Sequence, residues 1–185
     1  MVSRSISPST VQFRPSRYAR GLFGLCYHEA SHAVAGVLHG GTLTEARIVL
    51  SDLRGSTTFE GGSLAATRHG QVAYAGPWGQ ARALARRRPG LHEVRAVLDG
   101  GGCSDRAVLT AAGGESAGDA ITPLLERCWP SVAELAAKLH QHGKVSHADV
   151  LAALRLSADD QTRAVEVSMI RSGADVGSFT VSRPG

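Results

Sequence analysis

Residues 27–34 read Tyr-His-Glu-Ala-Ser-His-Ala-Val, which places His28-Glu29-x-x-His32 inside an otherwise apolar helical pattern. On a helix, positions four apart stand on one face about one turn apart, so both imidazoles reach a single metal ion. Glu29 lies about 100° around the helix from His28. From there its carboxylate flanks the metal instead of binding it, where a general base for a metal-bound water belongs. Ala30, Ala33, Val34 and Val37 follow the spacing of a buried stripe, centred nearly opposite the two histidines. The pattern predicts a helix over about Leu22–Leu38, ended by Gly40-Gly41, with one face in a core and the other carrying both histidines. His39 is on the histidine side but about 10 Å further along the axis from His32, so it reads as a helix-end residue and not a ligand of the same ion.

A length of 185 residues suits one domain with flanking tails, and 43% hydrophobic residues is a globular proportion. Gly 22 with 5% aromatics points to an interior packed from small side chains. The three cysteines (Cys26, Cys103, Cys128) are odd in number and lack C-x-x-C spacing. That argues against a disulfide framework and for a reducing, cytoplasmic compartment. No 18-residue apolar run is present, so no membrane-spanning helix is expected. Residues 1–20 are rich in Ser and Arg and contain no acid. They share that composition with some transit peptides but lack the apolar stretch of a secretory signal, and are expected to form a flexible basic arm. The net charge of +4 draws on this arm and on Arg82, Arg86, Arg87 and Arg88. The Arg run fits a helix C-terminus complementing the macrodipole before Pro89-Gly90. No nucleic-acid module accompanies it, so no nucleic-acid partner is expected.

Along the chain, Thr44–Leu50 and Ser56–Glu60 read as two strands turning at Asp52–Gly55, a small hairpin. A helical stretch from Leu64 to Arg88 is interrupted at Gly76-Pro77, where the missing amide should kink or split it. Trp78 beside it reads as core filler. A short helix over Leu91–Leu98 leads into a flexible connection at Asp99-Gly100-Gly101-Gly102. Further helices are expected from Ser104-Asp105 through Ala112, over Ser116–Cys128, after Pro130 across Ser131–His140, and from an N-cap at Ser146 through Leu154. Residues 157–185 are expected to form a partly ordered tail with a strand at Ala164–Ile170. The fold class is mainly α (α+β), one helical domain over residues 21–156 with a small hairpin.

Two histidines do not complete a catalytic metal site; a third protein ligand is needed, with one position left for water. Downstream of His32 the chain offers Glu45, Asp52, Glu60, His69, His92, Glu93, Asp99, Cys103, Asp105, Glu115 and Asp119. Spacing alone does not choose among them. Asp105 also suits a helix N-terminal acid, and Cys103 would close the site into a structural one.

The ordered set His28-Glu29-Ala30-Ser31-His32-Ala33, the hairpin, Ala75-Gly76-Pro77-Trp78-Gly79-Gln80-Ala81, and Gly101-Gly102-Cys103-Ser104-Asp105-Arg106-Ala107 resembles FtsH-type zinc metalloprotease domains (peptidase family M41). The resemblance covers residues from about 22 to 155. It implies that His28, His32 and Asp105 bind Zn2+ and that Glu29 is the catalytic base. Three departures stand out. Ser31 replaces the glycine usual between the histidines, and Gln80 stands where the family tends to have an acid. No Gly-x-x-x-x-Gly-Lys-Ser/Thr loop occurs, so the nucleotide-driven unfoldase of that family has no counterpart in this sequence.

The expected function is therefore an ATP-independent zinc metallopeptidase, acting on unfolded or small protein substrates or on proteins delivered by a separate partner. The resemblance also implies a homo-oligomer. The alternative is a catalytically silent metal-binding module for regulation or partner docking; Glu29 argues against it, because a purely structural site has no use for that acid.

Overall fold

The computed structural model describes residues 16–178, without the side chain of Cys103. Most of the expected basic arm, residues 1–15, lies outside the described residues, as does the end of the tail. The central element is α1 (Arg17–Leu38), opened by Ser16, whose hydroxyl accepts from the Ala19 amide at 3.1 Å. It begins inside the segment expected to be a flexible arm. From His28 to Leu38 every residue is buried. The face that carries the two histidines is therefore buried along with the core face. Helices and strands pack on all sides of α1, because its Ala, Ser and Gly positions let neighbours approach closely.

The hairpin forms close to the expected positions. Strand β1 (Leu43–Val49) pairs antiparallel with β2 (Arg54–Phe59), with an irregularity between Leu43 and Glu45. The turn falls earlier than expected, ahead of Arg54, with Leu53 in the left-handed region (φ 50). A third strand that the sequence did not reveal, β3 (Lys144–Val145), adds to the other side of β1. The order β2-β1-β3 leaves β2 at the sheet edge.

Of the kink or split expected at Gly76-Pro77, the split does not occur. After a short 3-10 turn at Ala66–Arg68, α2 (His69–Ala85) runs unbroken with Pro77 inside it. An interior proline costs a helix about 3 kcal/mol in isolation. Here Tyr74, Ala75 and Trp78 bury around it against the core and offset that cost. The helix ends where Arg86 turns left-handed (φ 56). Part of the Arg run has intramolecular partners: Arg82 pairs with Glu126 at 3.2 Å and lies 4.6 Å over the Trp129 ring, and Arg87 pairs with Glu93 at 2.8 Å.

Helices α3 (Leu91–Gly100), α4 (Cys103–Ala111), α5 (Ala117–Arg127), α6 (Trp129–His142) and α7 (His147–Ala153) follow the expected order. The connection expected over Asp99–Gly102 is shortened to Gly101-Gly102, because α3 continues through Gly100. Ser146 caps α7 as expected, and the Asp149 carboxylate returns the bond to the Ser146 amide at 2.7 Å.

The strand expected at Ala164–Ile170 is corrected to a helix, α8 (Asp160–Ser172). Its burial follows a period of four, with Glu166 and Ile170 inside and Val165 exposed, where a strand would bury alternate residues. The Asp159 side chain caps it at the Thr162 amide. The class is mainly α with a small antiparallel sheet. Among the described residues no helix is long and apolar enough to cross a membrane. Cys26 and Cys128 are buried thiols, which burial pushes up to about 11 and about 12, so both stay protonated and unreactive at neutral pH.

Helix α2 packs tightly on α1 at Gly79, where a Cβ would lie 1.8 Å from Ser31 Oγ and 2.7 Å from Ser31 Cβ. Gly79→Ala should therefore destabilise the protein by about 1–3 kcal/mol through overpacking, although alanine is the better helix former by up to about 1 kcal/mol. Ser31→Gly in the same chain should restore part of the loss. Urea unfolding of the two single variants and the double variant checks this; equal stability of Gly79→Ala and wild type would show that the helices are not in fixed contact there.

Candidate metal centre

Two helices bring the three ligand candidates together. One turn of α1 places His28 and His32 on a common face, their ring centroids 4.7 Å apart. Asp105 comes from the first turn of α4. Its Oδ2 lies 3.0 Å from His28 Nε2 and its Oδ1 3.3 Å from His32 Nε2. Among the described residues these three form the group whose ligand atoms lie within 4.8 Å of one another. The N-cap of α4 is Gly102, and the Asp105 carboxylate contacts described are to the two histidines. Several other acids weighed from the sequence are paired elsewhere: Glu93 with Arg87 and the Gly90 amide, Asp99 with Arg106, and Glu115 with Arg95. Cys103 offers no comparison, because its side chain lies outside the described residues.

The far nitrogen of each ring is held. Val72 carbonyl accepts from His32 Nδ1 at 2.7 Å, and Gln80 Oε1 from His28 Nδ1 at 3.0 Å. Donation from Nδ1 fixes each ring so that Nε2 faces Asp105, the usual outer partner arrangement of a histidine metal ligand. Neither partner was legible as such in the sequence. Gln80 was marked only as a departure from an acid, and a backbone carbonyl gives no sequence signal.

Glycine makes the room. A Cβ on Gly76 would stand 2.2 Å from His32 Nε2 and 2.7 Å from His28 Nε2, so a side chain there would occupy the space at the ligand atoms. At Gly24 a Cβ would meet Gln80 at 3.2 Å. The donor set suits a small divalent cation. Ligands at about 2.0–2.1 Å in a tetrahedron stand about 3.3 Å apart, close to the two nitrogen–oxygen separations observed.

The charges are buried and coupled. Burial alone lowers the basicity of His32, but the hydrogen bond and charge of Asp105, with help from Glu29 and the Val72 carbonyl, raise it to about 9. Burial works against ionised Asp105 too, and its bonds to both histidines overcome this and hold the carboxyl well below its usual range.

Glu29 is buried, and its Oε2 accepts from the Thr57 hydroxyl at 2.7 Å. It lines the same open cleft as both histidines and Asp105, a space of about 1920 Å³ between the β2 side and helices α2, α3 and α4. Leu25, Leu84, Val97 and Val108 add apolar wall. The structure thus brings Glu29 and the three ligand candidates to one cleft.

Asp105→Ala should weaken divalent metal binding strongly, whereas Asp99→Ala, which loses a surface pair to Arg106, should leave it unchanged. Titration of both variants with zinc after chelator treatment checks the difference. A second expectation follows from His32. Raised to about 9, the metal-free ring is protonated at pH 7, and a metal needs it neutral, so uptake should release a proton that is no longer released well above pH 9. Calorimetry in buffers of different ionisation enthalpy should read about one proton from this ring at pH 7, and affinity should rise as pH increases towards 9.

No protein-family model matches this chain and no curated protein matches it, so its functional reading rests on the geometry of this site.

Proposed function

We propose that the chain is a zinc metallopeptidase, resembling the FtsH-type protease domain, that hydrolyses peptide bonds without ATP in unfolded or small protein substrates. The observation that carries the reading is the buried carboxylate of Glu29 in the same cleft as His28, His32 and Asp105. A site meant only to hold a metal needs the three ligands. It does not need a fourth, carboxylate-bearing side chain facing the same space and costly to bury.

Zinc bound by the three ligands would supply Lewis acidity, acidifying water and polarising a carbonyl. The chain's own residues do the rest. His28 and His32 are pre-aligned by Gln80 and Val72, which lessens reordering on binding. Asp105 contributes the anionic ligand that balances part of a dication's charge. Glu29 accepts a proton from the attacking water and passes it to the leaving amine.

The cleft exceeds the roughly 300–1,000 Å³ of pockets that hold single small molecules, which suits an extended chain. Its position beside β2, an edge strand among the described residues, suits a substrate that carries backbone donors and acceptors. A substrate that is already unfolded, or is delivered by a partner, would meet the cleft directly.

Glu29→Gln keeps the shape of the side chain and removes its proton acceptor. Metal content and melting temperature should hold while hydrolysis of unfolded casein falls by about 10²–10⁴-fold. Unchanged turnover would exclude Glu29 as the base. A wild-type protein that binds zinc and cleaves no unfolded substrate would favour the silent metal-binding module.

A further inference from the structure

Strand β2 meets the catalytic helix at three positions on one face, and two of them touch Glu29. At Gly55 a Cβ would lie 2.2 Å from Glu29 Oε1 and 2.6 Å from its Cδ, so the carboxylate fits against the strand because that residue has no side chain. Two residues on, Thr57 Oγ1 lies 2.7 Å from Glu29 Oε2 and 3.3 Å from the Glu29 carbonyl oxygen. The hydroxyl has one proton, and the shorter contact to a carboxylate is the charge-assisted one. Among the described residues, Thr57 is the hydrogen-bonding side chain recorded on the Glu29 carboxylate. The contact spans 28 positions of sequence, so it forms only when the sheet docks on α1.

From this contact we infer that Thr57 is a positioning residue for Glu29, fixing the carboxylate by a hydrogen bond to its Oε2. This rests on the proposed peptidase reading and adds to it the part of the sheet on which the base depends. The role needs a hydroxyl at residue 57 and no side chain at residue 55. Valine at 57 has nearly the shape of threonine but leaves Oε2 unpaired and the carboxylate free to rotate. Mispositioning of a reacting group by about 1 Å costs on the order of 10²-fold in rate. A hydroxyl presented by serine should serve nearly as well as that of threonine.

The test compares wild type, Thr57→Val, Thr57→Ser, Glu29→Gln and the double variant Thr57→Val/Glu29→Gln, each loaded with zinc and assayed on unfolded casein. Thr57→Val should keep its zinc and its KM within about twofold and lose about 10- to 100-fold in kcat. Thr57→Ser should recover most of that loss. Adding Thr57→Val to Glu29→Gln should cost little more, because the group to be positioned no longer acts as a base.

Urea unfolding of the metal-free proteins supplies a readout independent of catalysis. Thr57→Val and Glu29→Ala should be non-additive, with a coupling of about 10-fold in the folding constant. Additive unfolding, an unchanged kcat in Thr57→Val, or equal losses with and without Glu29 would each overturn the role given to Thr57. An active wild type with unaffected Thr57→Val overturns this inference alone. Coupled unfolding in a protein that cleaves nothing overturns the peptidase reading and this role with it.

Discussion

The close approach of α2 to α1 is the constraint on which the site depends. Two glycines one turn apart, Gly76 and Gly79, remove the side chains that would otherwise separate the helices. Gly79 lets the Ser31 hydroxyl sit in the interface, where it donates to the Tyr27 carbonyl at 2.7 Å. Gly76 leaves open the space at the two Nε2 atoms. Around them, Trp78 and Trp129 meet edge to face, Tyr27 stacks on Trp129, and Arg82 covers the same ring. These large rings fix the helix spacing that the small residues permit. Aromatic contacts of this kind add about 0.5–1.5 kcal/mol beyond their buried area. The helix pair is therefore held at a distance set by glycine and maintained by aromatic packing.

That spacing explains how ionisable groups are tolerated inside the protein. His28, Glu29 and His32 are all less than 10% exposed, and Asp105 faces the two rings. Burying an unpaired charge is costly, and a buried pair offsets the cost only where further hydrogen bonds satisfy the remaining atoms. Here Val72 and Gln80 take the outer nitrogens, Asp105 takes the inner ones, and Thr57 takes one oxygen of Glu29. With a dication in place, the carboxylates of Asp105 and Glu29 would together balance its charge. Gln80 is uncharged, so it takes the outer nitrogen of His28 without disturbing that balance.

The local part of this arrangement was legible in the sequence. The spacing of His28 and His32 is a property of one helix turn, and the stripe of Ala30, Ala33, Val34 and Val37 gave that helix and its end at Leu38. Burial on the histidine side was not legible, because it depends on α2 and β2 arriving from elsewhere. Pro77 was read as a break because its missing amide is a local fact, while the packing of Tyr74 and Trp78 that offsets it is tertiary. The Ala164–Ile170 run has branched residues in a polar segment, which reads as a strand until its buried positions prove to be four apart. The Asp105 candidate came from family resemblance. Its proximity to the histidines depends on α3 and α4 folding back over α2, a long-range arrangement that spacing does not encode.

The sheet's part in the site follows from matched repeats. Glu29 and Gly36 are seven residues apart, two helical turns, or about 10.5 Å along α1. On β2 their neighbours are the Gly55–Thr57 pair and Phe59, whose ring occupies the space a Cβ on Gly36 would need. From residue 56, midway between that pair, to Phe59 is three residues, or about 10 Å of strand. The two lengths agree, so β2 runs alongside α1 in the same direction and touches it at both ends. Phe59 over Gly36 anchors one end, and Thr57 with Gly55 meets the carboxylate at the other. Anchoring at Phe59 limits how far β2 can slide along α1, and a shift of one residue would turn Thr57 to the opposite face of the sheet. The register of a short edge strand is in this way tied to the orientation of a single buried acid.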